Sequence, residues 1–467
     1  MQIVEHAPVR PFVLARSDPR LRPAKLAVAA GFGVLVVSTI GMLRGVEPFA
    51  TWYYQFAWYS VLLVADGALA LRGAAGRGQK GEFLLLGRRE HLISLLNWSI
   101  VVWLFYELLN FRLQNWHYVF VPENLVVRWL GTAVAFATVL PAVFLAEAFL
   151  GSFRFGEALR WQPLRVTRRF LTRMQVAGAV TMVLVLAWPR YFYPLVWGAS
   201  MLLVEPRVYA RARGRSLLAD LEEGRPGRLL RLLAGGALIG LLWEMLNIGA
   251  RAKWIYTVPF FEELKLFEMP VPGFLGFPPF AVECFVLWQA LVCSGLAVPR
   301  WSERFPTSRG KRVTGVIGAA VFSVVTLFGM EKLTFASVRP ELSDLPNVPV
   351  QELKRVGYDV FRLANADPSL VAAEVGAERA SVVSWISAAR LAALRGIGTE
   401  QLSILHQLDI RTVEQLANAD AANLVQRLEQ QTGVDWVDAR VRVWVRGARR
   451  ALQRLNIQQG AVTTAPD

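Results

Sequence analysis

Two stretches of the chain carry the same arrangement of side chains that could do chemistry. Glu107-Leu-Leu-Asn110 and Glu244-Met-Leu-Asn247 each set a carboxyl and a carboxamide three residues apart, which places them on one face of a helix. Each is followed by a Trp-x-Tyr, Trp116 with Tyr118 or Trp254 with Tyr256, then by Pro122 or Pro259, and later by a second glutamate, Glu147 or Glu283. All these carboxyls lie in or beside apolar stretches. An ionisable group in hydrocarbon costs at least about 2.5–3.5 kcal/mol, so it is expected to face a bundle interior, a water-filled cavity or a partner. Held in its acid form, such a group could give a proton to an alkene or an alcohol. Glu107, Glu244, Glu283 and Glu147 are therefore the candidate catalytic acids. Asn110, Asn247 and the Trp-x-Tyr aromatics would hold the substrate. A structural reading stands beside this one, in which Glu107 and Glu244 hydrogen-bond to neighbouring helices as glue. Two further acids, Asp66 and Glu205, fall near the other ends of their stretches and are expected to meet water.

The elements that must position these groups are membrane helices. Of 467 residues, 54% are hydrophobic and only 19% charged, with a mean hydropathy of +0.37. Soluble domains carry roughly 25% charge. A spanning helix needs about 20 mostly apolar residues. Nine stretches come close, near 26–43, 52–71, 92–110, 129–150, 174–188, 191–204, 229–247, 279–297 and 313–330. The first is read as a retained helix rather than a cleaved signal. With an inside N-terminus, the inside loops hold 28 Lys or Arg and the outside loops 7, as the positive-inside rule requires. This alternation supports the short, proline-flanked span at 191–204. Trp52, Tyr53, Tyr54 and the two Trp-x-Tyr motifs fall at the outer boundary, where an interfacial aromatic belt is expected.

Several chemistries lack their residues. Cys284 and Cys293 lie nine apart in one apolar stretch, and the four histidines include no i,i+4 pair. No metal site and no disulfide framework follows. Phosphate-binding P-loops and nucleophile elbows are absent from the sequence, and no cofactor is assigned.

The matching motifs recur at offsets of 136 to 139 residues, beginning with Trp58 to Asp66 against Trp197 to Glu205. The expectation is an internal duplication of a four-span unit, with both copies inserted in the same direction about an axis along the membrane normal. Residues 259–279 break the second copy with Pro270, Pro272, Pro278 and Pro279. Such a stretch cannot be one regular helix and is expected to face a cavity.

The Glu-x-x-Asn, Trp-x-Tyr, Pro and later Glu resemble a pattern of uncharacterised bacterial integral-membrane proteins. They are distantly similar to membrane-embedded carotenoid hydratases and lycopene cyclases. The resemblance implies carboxyl groups that protonate isoprenoid double bonds, at Glu244, Asn247, Trp254, Tyr256 and Glu283. The chain departs from the cyclases in lacking a Pro-x-Glu-[Glu/Asp] arrangement.

From about residue 340 the chain turns polar and Ala-rich. Leu363-Ala-Asn-Ala-Asp367 recurs as Leu416-Ala-Asn-Ala-Asp420, and Leu394-Arg-Gly-Ile-Gly398 lies between. The two aspartates are expected to cap the helices that follow them. Residues 348–455 resemble tandem helix-hairpin-helix domains, whose relatives often bind DNA phosphate. Here residues 341–467 carry a net charge of −1, which argues against nucleic acid as the partner. Only the last helix is basic.

The expectation is an all-α polytopic membrane bundle of about nine spans with a small all-α domain. Its parts are a cytoplasmic segment 1–25, repeats at 26–160 and 172–297, a ninth helix at 313–330, the helix-hairpin-helix domain at 348–455 and a disordered tail at 456–467. Its place is the inner membrane, N-terminus inside and C-terminal domain outside. The function expected is binding or processing of a lipidic or isoprenoid molecule in a carboxylate-lined cavity. Alternatives are a transporter on parallel repeats, or a membrane scaffold whose residues 348–455 bind a protein. Partners are therefore membrane lipid, a lipidic small molecule and a protein.

Overall fold

A computed structural model describes residues 18–73, 80–261, 264–299 and 309–463. Most of the expected N-terminal segment, parts of two basic loops and the last four residues lie outside this set. The order begins α1 (Arg22–Leu43), α2 (Phe49–Arg72), α3 (Arg89–Leu113), strand β1 (Trp116–Val119), then the jointed pair α4 (Leu125–Phe136) and α5 (Val139–Ser152). It continues with α6 (Arg168–Ala187), the single turn α7 (Pro189–Phe192), α8 (Val196–Arg211), α9 (Leu217–Glu222) and α10 (Gly227–Asn247). Strands β2 (Lys253–Tyr256), β3 (Lys265–Leu266) and β4 (Met269–Pro270) precede α11 (Phe277–Cys293) and α12 (Arg309–Leu333).

Eight helical segments among the described residues are long and apolar enough to cross a membrane, α4 and α5 counting together as one. The expected span at 191–204 is the exception. Pro189 precedes it, Pro194 interrupts its first half, and Trp197 and Gly198 leave helical backbone values, Gly198 at φ 153°. The helix that results, α8, is displaced to Val196–Arg211 and is too short and too charged to qualify. It still packs along α6 and α11. Glycines let helices approach closely in the absence of a hydrophobic drive between them. A Cβ on Gly31 would lie 2.6 Å from Val64, and one on Gly178 2.9 Å from Leu202.

The loops between helices sort to two ends. At one end Arg72 reaches the Ser152 carbonyl, His91 meets the Val298 carbonyl and Arg231 pairs with Glu147. Asp66 and Glu205 sit here too, but buried rather than in water. Asp66 accepts from the N–H groups of Leu84, Leu85 and Leu86; Glu205 accepts from Ser216 and the Leu218 N–H. Each carboxylate thus organises the loop beyond its own helix.

At the opposite end β1 and β2 pair antiparallel, Trp116 opposite Tyr256 and Tyr118 opposite Trp254. The linker after α12 lies beside β1, with the Tyr118 N–H donating to the Thr334 carbonyl and the Ala336 N–H to that of Tyr118. The all-α C-terminal domain rests on this small sheet. It comprises α13 (Val350–Arg355), α14 (Val360–Ala364), α15 (Pro368–Val375), α16 (Arg379–Ala392), α17 (Thr399–Gln407), α18 (Val413–Ala417), α19 (Ala421–Thr432) and α20 (Asp438–Thr463). The domain has its own core around Leu353, Leu363, Ile386, Leu416 and Trp444. Asp367 caps α15 and Asp420 caps α19, as their positions predict. α20 extends to Thr463, over most of the segment expected as a tail.

Docking uses Val119, Phe120, Ile255 and Ala336 against Phe361 and Val443, and the ion pair of Arg251 with Asp359 at 2.7 Å. The turn Gly396-Ile397-Gly398 faces inward. Ile397 is fully buried, and a Cβ on Gly398 would lie 2.2 Å from the Val338 carbonyl oxygen. Because that neighbour is backbone, Gly398→Val should lift the domain off the bundle. The expected cost is at least ~1–3 kcal/mol of overpacking, with new protease cleavage between residues 334 and 349. A variant as protease-resistant as the parent would contradict this docking.

Candidate functional site

The candidate acids are placed by where their helices end. Glu107 and Glu244 lie within two turns of the ends of α3 and α10, and both are fully buried. Hydrocarbon supplies no donors, so the chain folds back to provide them. Glu107 Oε1 accepts from Trp116 Nε1 at 2.8 Å, Tyr118 Oη at 2.6 Å and Trp103 Nε1 at 3.0 Å. Glu244 Oε1 accepts from Tyr256 Oη at 2.8 Å and Trp254 Nε1 at 3.1 Å. The asparagines hold the strands that carry these donors. Asn110 donates to the Trp116 carbonyl and accepts from the Asn115 N–H, and Asn247 donates to the Trp254 carbonyl and accepts from the Trp254 N–H. Each Glu-x-x-Asn is thus joined to its own Trp-x-Tyr.

Glu283 is buried between helices with a different task. Its Oε2 accepts from Tyr106 Oη at 2.6 Å and its Oε1 from the Ser200 N–H at 2.7 Å and the Met201 N–H at 3.2 Å. The break at Gly198 restarts α8 and leaves those N–H groups without intrahelical partners, which is the demand Glu283 meets. Glu147 does not join this group. It lies at the far end of the bundle in an ion pair with Arg231 at 2.6 Å, because the jointed α4 and α5 carry it there.

Between the strands and the helices lies a chamber of about 1050 Å³ counted to its open mouth. Its wall includes Trp52, Trp103, Trp116, Trp197, Trp243 and Trp254, with Tyr54, Tyr118 and Tyr256. The expected interfacial belt is therefore turned inward: Tyr54 and Trp116 are buried, because their polar tips find partners inside. The proline-rich segment after Pro259 lines the chamber through Met269, Gly273 and Gly276. Behind the wall, the Tyr106 ring packs on Trp197 and Phe280 at about 5.2 and 5.3 Å between centroids.

The two carboxyls differ in access. Glu244 lines the chamber and Glu107 does not. The residue that matches Trp103, 137 positions later, is Gly240. The ring of Phe277 occupies the space a side chain there would need, 2.2 Å from a built Cβ. Four buried polar atoms on the chamber wall have no hydrogen-bond partner among the described residues: Tyr54 Oη, Gln55 Oε1, Trp243 Nε1 and Glu244 Oε2. Tyr54, Gln55 and Trp243 carried no motif and were missed by sequence reasoning. Tyr54 was placed in a lipid-facing belt, and Trp243, next to Glu244, was the available signal.

The chamber also meets the docked domain. Lys253, on its wall, pairs with Glu268 at 3.3 Å, and Glu268 pairs with Arg395 of the Gly396 turn at 2.8 Å. Outside the spans, burial holds the Tyr118 and Tyr256 phenols well above their ordinary value, with the carboxyls beside them adding to the rise. Burial likewise pulls the Lys253 ammonium down to about 8. No group of three or more metal-ligating side chains occurs among the described residues.

Fold and site together define an all-α polytopic membrane bundle with an aromatic, carboxyl-bearing chamber, capped by a helical domain. Residues 359–450, within that domain, match a family model described as a domain of unknown function, DUF4332. No curated protein and no solved structure matches the chain.

Lys253 gives a pH test of the link between chamber and cap. Its folded value of about 8 lies below the ordinary 10.5, so between those pH values the unfolded chain binds more protons. Stability from this group therefore rises as pH increases through that window, by at most ~3 kcal/mol. The melting temperature of the full chain should gain on that of Lys253→Met between pH 8 and 10; parallel pH profiles would refute the assignment.

Proposed function

We propose that the membrane bundle binds an amphiphilic, lipid-derived molecule in the aromatic chamber, with Glu244 as its principal polar contact. The observation that carries this reading is the set of four unpartnered polar atoms. A buried donor or acceptor left unmade costs ~1–3 kcal/mol. Two of these atoms accept, Gln55 Oε1 and Glu244 Oε2. Trp243 Nε1 donates, and the Tyr54 hydroxyl can do either. A hydroxyl-bearing head matches that set, while the indole faces suit an apolar body. An isoprenoid alcohol is the first class to test, in keeping with the resemblance to isoprenoid-processing membrane enzymes. In this reading Glu107 and Asn110 hold the wall, Asn247 and the Trp254 and Tyr256 pair aim Glu244, and Glu283 braces the broken helix.

The rest of the reading follows from the charge and the repeats. The halves descend from one four-span unit, as the two Glu, Asn, Trp and Tyr sets with equivalent bonds support. The end bearing Asp66 and Glu205 faces the cytoplasm, because the loops on that side hold 28 of the 35 loop Lys and Arg counted above. The capping domain then lies outside the inner membrane, in a helix-hairpin-helix arrangement whose middle turn is spent on docking.

Organic extracts of the purified full chain, analysed by mass spectrometry, test the proposal. The wild type should carry one amphiphile near unit stoichiometry. Trp243→Phe with Gln55→Leu removes one free donor and one free acceptor, and should retain it at least tenfold less, as expected for ~2 kcal/mol. A wild-type extract with bulk lipid alone would overturn the reading, as would a variant that retains the amphiphile fully.

A further inference from the structure

A second cavity lies toward the cytoplasmic end, apart from the chamber. It is a groove of about 1100 Å³ counted to its open side, bounded by α3, α8 and α11. Its floor is apolar, with Val102, Phe105, Val204 and Leu287, and its end carries Arg207 and Arg211. These two arginines are four residues apart, hence on one face of α8. Both are exposed, and neither has an acidic partner among the described residues. Other arginines nearby are engaged: Arg228 with Asp220, Arg231 with Glu147 and Arg215 with Gln289. Along α8 and α11 the order of features is the same: Trp197 and Phe280 face the chamber, the bond of Ser200 to Glu283 forms a layer, and the groove follows.

We infer that this groove is a binding site for an anionic phospholipid of the cytoplasmic leaflet. Acyl chains lie on the apolar floor, and the phosphate meets Arg207 and Arg211. The run from Val204 to Arg211 is about 10 Å of helix, which sets both guanidinium groups at the head-group end of the apolar floor. Charge selects the occupant. Two guanidinium groups without a carboxylate would repel a cationic head, and each can bind phosphate bidentately. The site stands independently of the chamber's ligand.

Native mass spectrometry of the full chain, delipidated and titrated with phosphatidylglycerol or phosphatidylcholine, tests it. The wild type should retain phosphatidylglycerol at least tenfold better, and that lipid alone should raise its melting temperature. Arg207→Gln with Arg211→Gln should bring retention down to the phosphatidylcholine level. Ala290→Trp fills the groove and keeps both arginines, and it should lose the lipid as well. Arg168→Gln with Arg169→Gln removes two charges of the same face outside the groove and should change nothing. Retention of the chamber's amphiphile should be unaffected by the groove variants, so failure of one site does not decide the other. Equal retention of both lipids by the wild type would overturn the inference. So would wild-type retention in the groove variants, or an equal loss in the control pair.

Discussion

A carboxyl group carried into a membrane on a helix has to find its hydrogen-bond donors within the protein. Glu107 and Glu244 find theirs by the same means: the chain leaves the helix, turns back and sends an indole N–H and a phenol O–H to one carboxyl oxygen. That need draws the two Trp-x-Tyr segments to the same place at the end of the bundle. Once there, their backbones pair with each other. The sheet is short, yet it closes the chamber on one side and gives the C-terminal domain its seat on the other.

The docked domain is shaped by that seat. The glycine turn of the domain is pressed against the linker at Ser337 and Val338 and against Ile255. Arg440, one of the basic residues of α20, donates to the Ala336 carbonyl. Arg449 likewise donates to Ala417 within the domain. Part of the basic appearance of the last helix is thus consumed in holding the domain together and to the membrane part.

Much of this was legible in the residues. The spans follow from hydropathy, the two ends from the alternation of basic loops, and the helix caps at Asp367 and Asp420 from local chemistry. The pairing of each carboxyl with its own aromatics was visible only as a repeated spacing. Spacing does not say which way a tyrosine points, so Tyr54 is expected only in the interfacial belt although it faces inward. Asp66 and Glu205 were assigned to water for a similar reason: nothing in the helix itself announces that a loop 18 or more residues on will bring its N–H groups to Asp66. The misplaced span at 191–204 has another origin. Hydropathy ignores backbone continuity, and the break at Gly198 is explained only by Glu283, which lies more than 80 residues away and accepts the freed N–H groups.

The two halves also show why matching motifs need not mean matching roles. Around Glu107 a third donor, Trp103, joins the two on Oε1, and the carboxyl lies off the chamber wall; its Oε2 is unpartnered, as is that of Glu244. In the second half the corresponding position is Gly240, and a ring from α11 takes the space. The neighbouring position changes as well, from Tyr106, whose hydroxyl is bound to Glu283, to Trp243, whose indole N–H is left unpaired at the chamber wall. Two substitutions on one helix face therefore distinguish the surroundings of the two carboxyls. Both carboxyls leave one oxygen unpartnered, and what separates them is access: Glu244 lies on the chamber wall and Glu107 does not. Under the proposed function, this difference in access is the reason Glu244 rather than Glu107 is assigned to the ligand.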